Sequence, residues 1–131
     1  MTASNPRDRY LQDSISTASP GKLLVMLYDR LVLDLTRGEE SLRTDDRDSA
    51  SEQLNHAQEI VLELRTTLDI EAWAGGPGLA GLYSFLLTEL IQANIRRDAD
   101  RVAACRALVE PLRDAWREAA GLANATPAPA V

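Results

Sequence analysis

Thr17-Ala18-Ser19-Pro20-Gly21-Lys22-Leu23-Leu24-Val25-Met26-Leu27-Tyr28-Asp29 is the stretch whose reading decides the fold. A Ser directly before a Pro, followed by a dense apolar run, marks a helix start. The Ser side chain can accept from the free N–H groups of the first turn, and Pro has no N–H to leave unpaired. A long helix is therefore predicted over residues 20–43, with Leu24, Leu27, Leu31, Leu35 and Leu42 on one core-facing stripe at helical spacing. Met26 and Leu33 fall nearly opposite that stripe, among Lys22, Asp29, Arg30 and Arg37. They read either as scattered surface hydrophobes or as a second contact surface.

Upstream, residues 1–18 form a polar arm whose apolar members are Tyr10, Leu11 and Ile15, and the Asn5-Pro6 pair opposes a helix there. The arm reads equally as frayed chain or as a segment that docks its three apolar groups on the body. Downstream, Asp48 or Ser49 is placed to cap a second helix running to about Asp69. Its seam, Ala50, Leu54, Ala57, Val61, Leu64 and Leu68, alternates steps of four and three as in an antiparallel bundle. Residues 70–78, with Trp73 and Ala74-Gly75-Gly76-Pro77-Gly78, read as a loop.

A third helix is expected over residues 79–97, with a core stripe of Leu79, Leu82, Tyr83, Leu86, Leu90 and Ala93. Beside it runs a second strip, Ala80, Ser84, Leu87, Ile91 and Ile95, more than one bundle seam can use. Either a further segment covers this strip, or splayed neighbouring helices take it. The fourth helix starts near residues 98–100 and runs to about Ala120, with Val102, Cys105, Val109, Leu112, Trp116 and Ala119 inward. Pro111 falls on its solvent side, where a bend is predicted and not an end. Gly121 stops the helix, and residues 121–131 are expected to be a disordered tail.

The fold class is thus all-α: an antiparallel four-helix bundle over residues 19–120 preceded by a short N-terminal arm. A chain of 131 residues suits one domain, and 45% hydrophobic with 26% charged residues is ordinary for a folded protein. The net charge of −6 argues against a nucleic-acid partner, which would need clustered Lys and Arg. Arg96, Arg97 and Arg101 cluster locally, but among Asp98 and Asp100. No segment approaches the ~18 apolar residues of a membrane span, so no membrane insertion is expected. Without a recognisable secretion signal, the expected location is cytoplasmic.

Catalysis by side chains is not expected. The single cysteine, Cys105, sits on a seam, and the single histidine, His56, precludes a His-rich metal site, so neither cofactor nor metal is anticipated. Gly75-Gly76-Pro77-Gly78 joins two helices and is no phosphate loop. One alternative is a histidine phosphotransfer domain using His56 at Nε2, off the seam and accessible. Glu59 and Glu63, on the following turns, would repel the phosphoryl group. A generic helical adaptor is the other alternative.

Several blocks, in order, give the chain a family resemblance. Tyr10, then Thr17-Ala18-Ser19-Pro20 and the run ending Met26-Leu27-Tyr28-Asp29, resembles the start of the flagellar secretion chaperone family (FliS-type). Ala57-Gln58-Glu59-Ile60-Val61, Glu63-Leu64 and Thr67-Leu68-Asp69 look like its second helix. Leu82-Tyr83-Ser84-Phe85-Leu86 with Gln92-Ala93-Asn94, and Leu112-Arg113-Asp114-Ala115-Trp116, look like its third and fourth. The chain departs from the pattern at Arg30 and Gly78, at Trp73 and Pro77 in the second connection, and at Pro111.

The resemblance implies a chaperone, not an enzyme. It would bind the C-terminal segment of flagellin in the cytoplasm, prevent premature polymerisation and deliver it to the flagellar export apparatus. It also implies an N-terminal arm able to occupy part of the flagellin-binding surface. Together with the arm and the uncovered strip, it nominates Tyr10, Leu11, Ile15, Met26, Tyr28, Asp29, Leu82, Tyr83, Leu87, Ile91, Asn94 and Ile95 as partner-binding residues.

Overall fold

The computed structural model describes residues 19–72 and 74–121. It contains four helices, α1 (Pro20–Arg43), α2 (Arg47–Thr67), α3 (Gly76–Arg96) and α4 (Ala99–Ala119), with no strand among the described residues. Each packs on its neighbours in the ring α1, α2, α3, α4 and back to α1, with the α3–α4 contact the slightest. Short turns at residues 44–46 and 97–98 reverse the chain, giving an antiparallel up-down bundle.

The predicted start of α1 is observed: Ser19 is the N-cap, its Oγ accepts from the Lys22 amide at 3.2 Å, and Pro20 opens the first turn. Asp46, and not Asp48 or Ser49, caps α2 by accepting from the Ser49 amide. Asp98 caps α4 in the same way through the Arg101 amide. The turn before α4 needs a left-handed residue, and Arg97 supplies it at φ 55°. Helix α4 continues through Pro111, on its exposed side.

Two expectations about elements are corrected. Residues 76–78 are the first turn of α3 and not loop, because Pro77 fits a first turn without losing an amide bond. Gly76 there lies so close to the preceding connection that a Cβ would fall 2.1 Å from the Ile70 carbonyl oxygen. The core face of α1 also differs. Val25, Tyr28, Leu31, Val32 and Leu35 are buried, whereas Leu24, Leu27 and Leu42 are only partly covered. The face is rotated because small or polar residues, Asp34, Gly38 and Ser41, pack against α2. At Gly38 a Cβ would lie 2.8 Å from Leu54 Cδ2.

The α2 seam is buried as expected from Ala50 to Leu64, with Ile60 added beside it and Leu68 partly buried. In α4, Val102, Cys105 and Val109 are buried and Leu112 and Trp116 partly so, but Ala119 is exposed because the bundle ends there. Along the α1–α4 seam a ladder of charges crosses the helices. Asp29 pairs with Arg117 at 2.7 Å and Arg113 at 4.0 Å, Glu39 with Arg106 at 2.6 Å, and Arg43 with Asp100 at 3.0 Å.

Candidate functional site

Three uncovered apolar surfaces surround α3. The first is a cleft of about 580 Å³ at the end of the bundle where α1 and α3 begin and α2 and α4 finish. Pro20, Leu23, Leu24 and Leu27 of α1 form one wall, Leu64 and Leu68 of α2 another, and Leu79, Tyr83 and Trp116 the floor. The second, of about 520 Å³, lies between α3 and α4. Gly78 and Leu82 face Leu112, Ala115 and Ala119 across it, and it shares Leu79 and Trp116 with the first. Exposed Phe85 (50%) and Leu108 (43%) lie further along the facing sides of α3 and α4.

The third surface is the α3 strip. Ile91 (43%) and Ile95 (69%) are exposed, Leu87 is half-buried, and exposed Leu62 of α2 stands on the side of α2 nearest them. Asn94 borders this strip and is tied to α2, its Oδ1 accepting from Ser51 Oγ at 3.3 Å. Exposed large hydrophobics gathered at helical spacing mark interaction surfaces, unlike the single ones every protein carries.

The nominated residues are not all gathered on one surface. Leu87, Ile91, Asn94 and Ile95 run along one side of α3, and Leu82 lines the α3–α4 cleft. Tyr28 and Tyr83 are buried, 0% and 2% exposed, and bond to each other, so they support the first cleft from beneath. Asp29 is engaged by Arg117. Met26 is exposed on the outer face of α1, away from α3. Tyr10, Leu11 and Ile15 lie outside the described residues. Sequence reasoning missed Leu23 and Phe85 as surface formers, though Leu23 lay off the α1 stripe, which was a signal; Leu79 is buried on the α3 core stripe as expected and also floors the cleft.

His56 is not a plain surface histidine. Its Nδ1 bonds Oδ2 of Asp34, the only fully buried charged residue among those described, whose Oδ1 accepts from Arg30 Nε at 3.0 Å. Cys105 is a packed thiol, pushed up to about 12 by burial and the nearby Glu89, against a lowering by Arg101. Among the described residues no group of three or more His, Cys, Asp or Glu is arranged to hold a metal. No helix among them is long and apolar enough to cross a membrane.

A sequence model of the family described as Flagellar protein FliS matches residues 3–123. The chain belongs to this flagellar secretion chaperone family. The flagellar secretion chaperone FliS of Bacillus subtilis is 35% identical over 121 residues, covering 91% of this chain and 89% of that protein. The Escherichia coli FliS is 30% identical over 110 residues, covering 82% and 81%. A crystal structure of a flagellar chaperone from bacteria superposes with a TM-score of 0.72 at 25% identity, covering 88% of this chain and 94% of the other. Members of the FliS family are chaperones, not enzymes.

Proposed function

We propose that this FliS-family chaperone binds the C-terminal segment of flagellin in the cytoplasm, keeps it from polymerising and delivers it to the flagellar export apparatus. The observation that carries the reading is the uncovered strip Leu87–Ile91–Ile95 with Leu62 beside it, on the helix that packs least tightly against the bundle. An amphipathic segment laid on such a strip buries its own apolar face and ours together, the helix-in-groove mode of recognition. At roughly 25 cal/mol per Å² of apolar surface removed from water, a few exposed side chains of this size supply several kcal/mol before ordering costs.

In the free chaperone, Tyr10, Leu11 and Ile15 of the arm cover apolar surface until flagellin displaces them. Pro20, where the arm joins the bundle, is itself on the rim of the first cleft. A cover of this kind limits self-association and lowers apparent affinity by the cost of undocking.

The test is a pull-down and titration with full-length flagellin and with flagellin lacking its C-terminal segment. Binding of the first and not the second is expected. Equal binding of both, or of neither, refutes the reading.

A further inference from the structure

We infer that the first cleft docks a segment of a partner protein in which an apolar anchor stands beside Arg or Lys, and that Glu63 and Asp69 read the positive charge. The surface is separate from the α3 strip, so the inference does not depend on where flagellin binds. Two chemistries meet in this cleft. Its walls are apolar and its floor is Leu79, Tyr83 and Trp116, and at about 580 Å³ it has room for a few ligand side chains. Among the described residues that line it, Glu63 and Asp69 are the only charged ones, and both are exposed on the α2 side.

Neither carboxylate is answered from within the described chain. No basic side chain among the described residues pairs with either, whereas Asp29 and Glu39 on the α1–α4 seam hold Arg117 and Arg106. Asp69 Oδ1 accepts instead from the Glu71 amide at 3.3 Å, which orients the carboxylate and brings exposed Glu71 into the same connection. Lys22 and Arg65, the basic residues nearest in sequence, are exposed and do not line the cleft. The backbone adds to the sign. Helix α2 ends at Thr67, between the two acidic residues, so its free C-terminal carbonyls lie at the same rim. Carboxylates there repel the helix end, and a docked cation is favoured by both. Across the cleft the positive end of α1 is blunted, because Ser19 caps it and Pro20 offers no amide hydrogen.

An apolar cleft alone admits any hydrophobic segment. With a negative rim it favours one that presents a cation next to its anchor and turns away one that presents Asp or Glu, so apolar contact supplies the affinity and charge the selectivity. Arg is the better match of the two cations, since a guanidinium can take both oxygens of one carboxylate.

The experiment titrates the isotope-labelled full chain with synthetic peptides that share one Leu/Ala helical face and carry Arg, Gln or Glu at the other positions. At low salt the Arg peptide is expected to bind about five- to tenfold more tightly than the Gln peptide and the Glu peptide least, with high salt shrinking the difference. Amide shifts are expected at Leu68, Ala72 and Leu79, while Ser41 and Ser49 at the far end keep their positions. Glu63→Gln combined with Asp69→Asn, both at exposed positions, should keep the helical circular dichroism and erase the advantage of Arg over Gln. Ile91→Asp, on the α3 strip, should leave peptide binding as it was, so this inference and the flagellin reading fail separately. Equal binding of the Arg and Gln peptides overturns the inference, as does an Arg advantage that survives the two substitutions, or shifts confined to Leu87, Ile91 and Ile95. Arg-peptide binding that appears only after Arg7→Gln and Arg9→Gln gives the cleft to the chain's own arm, and self-association that Glu63→Gln with Asp69→Asn abolishes gives it to a second copy. Either result also overturns the partner segment.

Discussion

The hydroxyls of Tyr28 and Tyr83 meet at 2.7 Å inside the core, joining α1 to α3 across the diagonal of the bundle from positions 55 residues apart. Trp116 of α4 packs edge-on against Tyr28, ring centroids 6.3 Å apart, so three helices converge there. Removing the Tyr28 hydroxyl takes from Tyr83 its hydroxyl partner, whereas Tyr28 is also bonded by Trp116. Tyr28→Phe should cost about 1–3 kcal/mol. The double Phe variant should cost less than the two single changes added together, as read by a denaturant double-mutant cycle.

The same pair sets a response to alkali. Burial raises both hydroxyls above their ordinary value, and the bond to Tyr28 raises Tyr83 further, while Tyr83 and Trp116 hold Tyr28 down in part. The fold therefore favours the neutral phenols. Their contribution is complete below about pH 10, the value in the unfolded chain, and is lost as pH rises toward the folded values. Phenolate absorbance of these two tyrosines should appear together with loss of helical circular dichroism. Phenolate appearing while helicity is intact would refute this.

Gly76 and Gly81 should respond oppositely to alanine. At Gly76 the new Cβ collides with backbone, the Ile70 carbonyl, so the connection from α2 must move, at about 1–3 kcal/mol. At Gly81, in the helix and facing open space, alanine should stabilise by about 0.5–1 kcal/mol. Thermal melts of the two variants against the parent decide both.

The His56–Asp34 contact gives a stability prediction with no catalytic counterpart. His56→Ala leaves one oxygen of a fully buried carboxylate without its donor and should cost about 1–3 kcal/mol. Arg30 is exposed to a similar degree and donates to the other oxygen of the same carboxylate, so Arg30→Ala should cost a similar amount. Chemical denaturation of both variants checks this, and a loss within about 0.5 kcal/mol of zero for either would refute it.

On the α3 strip, Ile91→Asp should leave stability within about 0.5 kcal/mol, since the side chain is already exposed. It should weaken flagellin roughly tenfold, the loss of about 1.4 kcal/mol typical of one apolar anchor. Unfolding of this variant would show that the strip belongs to the core.

Periodicity read well where one face of a helix meets one seam. The α2 heptads, the start of α1 at Ser19-Pro20 and the seam of α4 as far as Trp116 were all legible, because spacing and capping chemistry are local. The rotation of α1 was not legible, for it depends on Gly38 letting Leu54 approach and on Asp34 finding His56, contacts that exist only once two helices are packed. The α3 strip could be read from its excess of apolar residues. The two end clefts could not, since they arise from how four helix ends splay.

Ala120, after the last turn of α4, lies against the first turn of α1: a Cβ on Gly21 would sit 3.4 Å from Ala120 Cβ. The segment arriving at Pro20 and the one departing after Gly121 thus share a single doorstep beside Trp116, while the turn at residues 44–46 marks the opposite, polar end. A fluorophore, affinity handle or surface anchor attached before Pro20 or after Gly121 will crowd both clefts. One inserted at Asp45, an exposed turn residue already at positive φ, leaves them free.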